Sequence, residues 1–221
     1  MKLIVFDVDG TISDSQAHIL HAMSLGFEAV GADMPGREAV QSIVGLSLPE
    51  AVARLAPDLD AITQAAIVAA YKDSYMNSRA ASPAPLYPGA GDLLHRLAGR
   101  EDCLLGVATG KSRRGLNALL AHHGLEGIFS TRQVADNHPS KPHPAMLFEA
   151  LAETGIAARD AVMIGDTSYD IDMARAAGMP SIGVSWGYHP VADLRTSGAG
   201  RIVTDFTALE AALAEFLGEG A

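Results

Sequence analysis

Residues 3–11 read LIVFDVDGT, and this stretch decides how the rest of the chain is interpreted. Its first four residues are apolar, and a short apolar run of this kind is typical of a parallel strand that is buried on both faces. Asp7 and Asp9 come directly after it. Residues i and i+2 of a strand face the same way, so the two carboxylates should converge at the carboxyl end of the strand. Ligands bind at that edge in open parallel sheets.

Three more short runs rich in β-forming residues occur along the chain, at 104–108, 162–164 and 181–184. Helical patterns separate or follow them, at 112–123, 144–153, 168–177 and 206–217. This alternation predicts an α/β fold with a doubly wound, Rossmann-like parallel-sheet core.

Residues 14–80 break the alternation because they contain helical patterns and no convincing strand, and a proline-rich segment, 82–89, follows them. We therefore predict an all-helical cap that is inserted after the first strand. The predicted core domain comprises residues 1–13 and 81–221, and the predicted cap domain comprises residues 14–80.

The composition excludes several classes of protein. The chain has 221 residues, is 48% hydrophobic and 19% charged, and carries a formal net charge of −10, which disfavours binding to nucleic acid or to an anionic membrane. The single cysteine, Cys103, rules out an internal disulfide and a cysteine-rich zinc site. The apolar run at the start is too short for a secretory signal, and no run is long enough to span a bilayer. A soluble cytoplasmic protein is the expectation.

The second β-run ends in Thr109, Gly110, Lys111 and Ser112. A phosphate-binding P-loop needs four residues between its two glycines, but only three separate Gly106 from Gly110, so that interpretation is rejected. Two interpretations remain. The hydroxyl and the backbone N–H groups at this helix start could bind an anion, or Ser112 could be a simple N-cap.

Two further segments carry candidate polar groups. Lys141 lies between prolines in a loop, where a lone lysine is usually solvated. Residues 165–170 read GDTSYD and bring Asp166 and Asp170 to a helix start, which could be an ordinary capped terminus. Several acidic groups at one sheet edge nevertheless demand a cation, and oxygen ligands indicate Mg²⁺ rather than Zn²⁺.

Taken in order, DxDGT, a strand ending in Thr-Gly, a lysine and GDxxxD resemble the haloacid dehalogenase superfamily of aspartate-nucleophile phosphotransferases. Gly187 and the sequence Gly178-Met179-Pro180 are similar to the phosphoglycolate phosphatase-like branch. The dehalogenases that name the superfamily lack the second aspartate and use no metal. The presence of Asp9 therefore favours a phosphatase.

This resemblance implies roles for individual residues. Asp7 is implied to attack phosphorus and form an aspartyl-phosphate, and Asp9 to protonate the leaving alcohol and then take a proton from water. The resemblance also implies two groups of binding residues. Those that hold the phosphoryl oxygens are Asp9, Gly10, Thr109, Gly110 and Lys141, and those that bind Mg²⁺ are Asp7, Asp9 through its carbonyl, Asp166 and Asp170.

The expected function is therefore Mg²⁺-dependent hydrolysis of a small phosphorylated metabolite, such as phosphoglycolate, by a monomer or a homodimer. Two alternatives remain open: a phosphosugar mutase on the same scaffold, and a non-enzymatic receiver domain that is phosphorylated on aspartate. The resemblance also implies that residues 44–47 fall where the cap loop of the family contacts the substrate, and these residues carry no charge that would identify it.

Overall fold

The computed structural model describes residues 1–81 and 83–219, with side chains for all of these except residues 78–81. Within these ranges the chain forms a six-stranded, wholly parallel sheet in the order β3-β2-β1-β4-β5-β6. The strands are β1 (Lys2–Phe6), β2 (Cys103–Thr109), β3 (Thr131–Val134), β4 (Ala161–Gly165), β5 (Ser181–Val184) and β6 (Arg201–Val203). The predicted doubly wound α/β core is confirmed.

The helices fall into two groups along the chain. Those between β1 and the proline-rich segment are α1 (Gln16–Glu28), α2 (Arg37–Ser42), α3 (Leu48–Leu55) and α4 (Ala61–Ala81), which we call the helical insertion. Those that alternate with the strands are α5 (Ala90–Ala98), α6 (Arg113–His122), α7 (Ala145–Thr154), α8 (Ser168–Ala176), α9 (Val191–Ser197) and α10 (Phe206–Leu217).

Strand β1 explains why both faces of the sheet are covered. Its side chains alternate, so Ile4 and Phe6 lie in one apolar cluster and Leu3 and Val5 lie in another. Side chains of α5, α6 and α10 complete the first cluster, and side chains of α7 and α8 complete the second. Burial on both faces is what a continuous apolar strand requires.

The helical insertion has an apolar cluster of its own. Met23 and Phe27 of α1 pack with Val52 of α3 and Ile67 of α4, and the two sheet clusters contain no residue of α1–α4 among those described. The chain leaves and rejoins the sheet layer at adjacent points, because Ser13 forms an isolated bridge with Leu86. The amide of Asp14 also donates to the carbonyl of Pro85, at 2.9 Å.

Candidate active site

The sheet places the predicted residues at one edge. In the register, Phe6 pairs with Val107 of β2 and with Ile164 of β4, so Asp7 follows the central strand where β2 and β4 also end. Thr109 is the last residue of β2, and Asp166 directly follows β4. The chain order reverses between β1 and β4, which makes this edge the switch point at which ligands bind in open α/β sheets.

The loop after β1 turns back on the carbonyl of Val8, which accepts from the amides of Thr11, Ile12 and Ser13 at 3.0 to 3.3 Å. Gly10 has a φ of +86°, and a Cβ atom there would lie 2.2 Å from Oδ2 of Asp166. Only glycine therefore allows the loop to pass so close to the carboxylate that follows β4.

Lys141 connects the β1 loop to helix α8. Its Nζ donates to Oδ1 of Asp7 at 2.7 Å and to Oδ1 of Asp170 at 2.6 Å, and its side chain is completely buried. The sequence alone favoured a solvated lysine, but the loop folds inward because two buried carboxylates need a cation.

Three buried carboxylates lie together, since ligand atoms of Asp7, Asp166 and Asp170 are all within 4.8 Å of one another. Asp166 accepts from the hydroxyl of Thr11 and the amide of Tyr188, each at 2.8 Å. Oδ2 of Asp170 accepts from the hydroxyl and the amide of Thr167, at 2.7 and 3.1 Å. In contrast, Oδ2 of Asp7 is buried with no hydrogen-bond partner among the described residues.

These carboxylates fit a divalent cation. Lys141 supplies one positive charge against three buried carboxylates, so two negative charges lack a buried counterion within this cluster when all three are ionised. Burial raises the pKa of Asp7 to about 7; Lys141 opposes this shift and Asp170 adds to it. Burial, together with the charges of Asp7 and Asp170, raises the pKa of Asp166 well above its usual range. A bound dication would relieve both the charge excess and the unpartnered oxygen.

Asp9 has different surroundings from Asp7. Its carboxylate accepts from Nζ of Lys111 at 2.6 Å and from the hydroxyl of Ser15, and it lies outside the cluster of three carboxylates. Lys111 also donates to the phenol of Tyr75 in α4, at 2.9 Å. Burial lowers the pKa of Lys111, but Asp9 and Tyr75 outweigh that effect, so the net pKa is raised and Lys111 stays charged.

A large cavity opens from Asp7, Asp9 and Thr109 toward the helical insertion, with a volume of about 1100 Å³. Gly110 closes one side of it against the loop between α2 and α3. A Cβ atom on Gly110 would lie 2.5 Å from the carbonyl of Leu46 and 2.7 Å from that of Gly45. The uncharged segment 44–47 thus lies at the site and lines the cavity through Val44, Gly45 and Leu46.

Sequence reasoning missed two residues of this site. Lys111 was considered only as part of a rejected P-loop, and Tyr75 only as part of a helical pattern. The signal for Lys111 was present, because it follows Thr109 by two residues at the end of a strand that must reach the sheet edge. Nothing local marked Tyr75, since the packing of α4 alone brings it to Lys111.

The sequence of this chain matches a known protein family. A family model described as haloacid dehalogenase-like hydrolase matches residues 4–184. The chain belongs to the haloacid dehalogenase-like hydrolase family. The match contains every predicted site residue, from Asp7 to Asp170.

Curated relatives of this haloacid dehalogenase-like hydrolase cover nearly its whole length. The probable phosphatase IndB of Dickeya dadantii is 33% identical over 212 residues, which are 93% of this chain and 90% of the relative. A phosphoglycolate phosphatase of Nitrosococcus oceani is 30% identical over 206 residues, 89% of each chain. These matches confirm the prediction of a haloacid dehalogenase-like phosphatase with phosphoglycolate phosphatase-like relatives.

Solved structures support the same fold. A predicted phosphatase from Clostridium acetobutylicum superposes with a TM-score of 0.86 at 26% identity and covers 97% of this chain and 98% of its own. A β-phosphoglucomutase from Clostridium difficile superposes with a TM-score of 0.83 at 21% identity. The superposition covers 99% of this chain and 98% of the mutase, and it shows a shared fold only.

Among the described residues of the haloacid dehalogenase-like hydrolase, no helix is long and apolar enough to cross a membrane.

Proposed function

We propose that this chain is a Mg²⁺-dependent phosphatase that hydrolyses a small phosphorylated metabolite through an aspartyl-phosphate on Asp7. The observation that carries the proposal is the buried, unpartnered Oδ2 of Asp7, which lies beside Lys141 and two further buried carboxylates. Such an oxygen is costly to leave without a partner, so its burial indicates that it serves a ligand.

In the first step, an oxygen of Asp7 attacks phosphorus and the bond from phosphorus to the ester oxygen breaks. Asp9 protonates the departing alkoxide, so a neutral alcohol leaves. In the second step, Asp9 takes a proton from water as the water oxygen attacks phosphorus, and the bond from phosphorus to Asp7 breaks. Inorganic phosphate is released and both aspartates return to their starting states.

Donor groups of four residues are proposed to hold the phosphoryl oxygens. Thr109 is buried at the end of β2, next to the backbone of Gly110, and Lys141 is charged and in contact with Asp7. Asp170 and Asp7 raise the pKa of Lys141 against the lowering effect of burial, so the ammonium persists. With the backbone of Gly10, these groups would place donors around the charge that develops on phosphorus.

The proposed metal ligands are Asp7, Asp166 and the carbonyl of Asp9, with Asp170 in support through Lys141 and Thr167. All of these donors are oxygens, which suit Mg²⁺. When bound, Mg²⁺ would offset the repulsion between the phosphate dianion and the carboxylates and would polarise the phosphoryl group.

We also propose that residues 14–80 form a cap domain on a core domain of residues 1–13 and 81–221. The separate apolar cluster of the helical insertion supports this division, as does the bridge between Ser13 and Leu86 where the chain leaves and rejoins the core. The cap would exclude water from the cavity and recognise the alcohol part of the substrate.

The first experiment measures phosphate release from a panel of phosphorylated metabolites, with phosphoglycolate as the reference compound. We expect turnover that requires Mg²⁺, is lost in EDTA and falls by more than about a thousandfold in Asp7→Asn. Asp102→Asn, an exposed aspartate away from the site, is the matched control and should keep full activity. Activity of Asp7→Asn within tenfold of the wild type would exclude the proposed mechanism.

Two further readouts sharpen this test. Calorimetric titration with Mg²⁺ should show binding to the wild type and none to Asp166→Asn, independently of turnover. Isomerisation of a sugar phosphate without net release of phosphate would instead support the mutase on the same scaffold.

A further inference from the structure

The large cavity between the sheet edge and the helical insertion has an apolar inner wall. Its volume, about 1100 Å³, slightly exceeds the roughly 300–1,000 Å³ of clefts that enclose drug-sized ligands. Phosphoglycolate has only a two-carbon alcohol part, which would leave most of this space to water. The apolar wall is built from Ile19, Met23, Val44, Leu46, Tyr71 and Met76.

The positive charge inside the cavity is already neutralised. Lys111 is the cation next to Asp9, and it donates to both Asp9 and Tyr75. A carboxylate on the substrate's alcohol part needs a cation that has no such partner, and drawing Lys111 away from Asp9 would leave Asp9 with the hydroxyl of Ser15 but without its cation. Phosphoglycolate is therefore poorly matched to the space beyond Asp9.

The remaining charges lie at the outer rim of the cavity. Lys72 and Arg114 are exposed, and Arg113 is half-buried. Three exposed acidic residues line the same rim: Asp73, Glu126 and Asp136. Exposed charges of both signs are screened by water and salt, so this rim gives little selectivity for a second anion.

We infer that the substrate is a phosphomonoester of an apolar alcohol considerably larger than glycolate, whose alkyl or aryl part packs on the wall formed by α1, α4 and the 44–47 segment. This inference rests on the proposed phosphatase function and specifies its substrate class. Covering apolar surface with an apolar ligand removes it from water, which is favourable, so contacts with this wall would contribute to the binding free energy of such a substrate. Tyr71 and Tyr75, which stack with ring centroids 5.7 Å apart, add aromatic surface to the cavity lining.

The test uses ethyl, butyl and hexyl phosphate with phosphoglycolate as the anionic reference. The three alkyl alcohols have nearly the same acidity, so differences in kcat/KM within the series report contacts of the chain rather than leaving-group chemistry. We expect kcat/KM to rise by about fourfold per added methylene, the gain from burying one CH₂ group. Hexyl phosphate should also exceed phosphoglycolate.

Two variants test whether the dependence of kcat/KM on chain length arises from contacts with the cavity lining. Met76→Ser changes a half-buried residue of the wall, and Leu48→Ser changes a half-buried residue of α3 that lines the cavity next to the 44–47 segment. Both variants should flatten the dependence of kcat/KM on chain length. The matched control is Ile62→Ser, which alters a residue of α4 that is 85% exposed and outside the lining, and it should keep the wild-type slope.

The outcomes separate the two proposals. A flat or falling series, with phosphoglycolate hydrolysed better than hexyl phosphate, overturns the apolar substrate and leaves the phosphatase standing. A rising series that persists in both lining variants overturns the assigned wall. Absence of phosphate release from every compound overturns the proposed function and this inference with it.

Discussion

Asp7 and Asp9 of the β1 loop are only two residues apart, yet their carboxylates contact different charged and polar groups. Asp7 faces Lys141 and the other buried carboxylates, whereas Asp9 faces Lys111, Ser15 and, through Lys111, the phenol of Tyr75. These different contacts support the proposed roles, in which Asp7 attacks phosphorus and binds the metal and Asp9 transfers protons.

Asp9→Asn tests this separation through the leaving group. Loss of an acid that donates a proton in the transition state typically costs about 10²- to 10⁴-fold, and we expect a fall of this size in kcat/KM for butyl phosphate. The fall should be much smaller for p-nitrophenyl phosphate, because nitrophenolate leaves without a proton. Equal losses for the two compounds would contradict the assigned role of Asp9.

The lysines show how far single residues could be predicted. Asp7, Asp9 and Asp166 follow directly from strand ends, because the period of a strand and a parallel sheet bring them to one edge. Lys141 sits in a loop, and its complete burial depends on carboxylates that are 134 and 29 residues away in the chain. No local pattern carries that information. The partnership of Lys111 with Tyr75 likewise exists only once α4 is packed.

Some strands could also not be predicted from local sequence. The buried strands β1, β2, β4 and β5 are evident as apolar runs, but β3 reads TRQV and β6 reads RIV, and neither was predicted. They are the two edge strands of the sheet. Edge strands are short and less apolar because they contact only one neighbour, so periodicity does not mark them.

The contact between β2 and the α2–α3 loop predicts the effect of Gly110→Ala. The new Cβ atom would lie 2.5 and 2.7 Å from two backbone carbonyl oxygens, so the loop must shift. We expect a loss of about 1–3 kcal/mol in the free energy of unfolding, and a fall in kcat/KM because the loop lines the cavity.

Gly36→Ala is the matched control for urea unfolding and for kinetics. Its φ is −55°, and a Cβ atom there meets nothing within 4 Å. This variant should be neutral or slightly stabilised. If Gly110→Ala behaves like Gly36→Ala, the close approach of the loop to Gly110 is wrong.

His189 joins α2 to α8 and predicts a dependence of stability on pH. Its Nδ1 accepts from the amide of Ser168 at 3.1 Å, so Nε2 carries the proton and donates to the carbonyl of Ser42, also at 3.1 Å. The phenol of Tyr169 donates to the same carbonyl at 2.9 Å. Burial lowers the pKa of His189 below its usual 6.5.

Because the pKa of His189 is lowered in the folded state, the free energy of unfolding should decrease as the pH falls. As pH falls through about 6.5 the unfolded chain takes up a proton at this residue before the folded chain does, so stability is complete above that pH and declines below it. We expect the free energy of unfolding to fall less between pH 7.5 and pH 5.5 in His189→Gln than in the wild type. His95→Gln, an exposed histidine, should retain the wild-type slope. Identical slopes in wild type and His189→Gln would contradict the prediction.

The apolar clusters on the two faces of the sheet are separate from the apolar cluster of the helical insertion. The described members of the two sheet clusters come from the β1 strand and loop and from residues after the insertion, whereas the cluster of α1–α4 borrows only Tyr169 and Tyr188 from the sheet side. This separation supports the proposed division into a core domain and a cap domain of residues 14–80.

Replacing residues 14–80 by a short linker should therefore leave a core that folds. All proposed metal and phosphate ligands remain, but the wall that contacts the alcohol is lost, so the ratio of kcat/KM between hexyl and ethyl phosphate should approach one. Circular dichroism must first establish folding, since Tyr169 and Tyr188 become exposed. A folded core that discriminates as sharply as the complete chain would show that the insertion does not select the substrate.

The bridge between Ser13 and Leu86 has a consequence for how such enzymes diversify. The two segments that connect the core to the helical insertion lie side by side at Ser13 and Leu86. They are tied by backbone hydrogen bonds and by the hydroxyl of Ser13, which donates to the carbonyl of Pro85 at 3.2 Å. Any helical unit whose own ends lie close together could be spliced there without changing the register of β1 or the start of α5. A complete recognition module could thus be exchanged in a single recombination event, with the phosphoryl-transfer apparatus inherited unaltered.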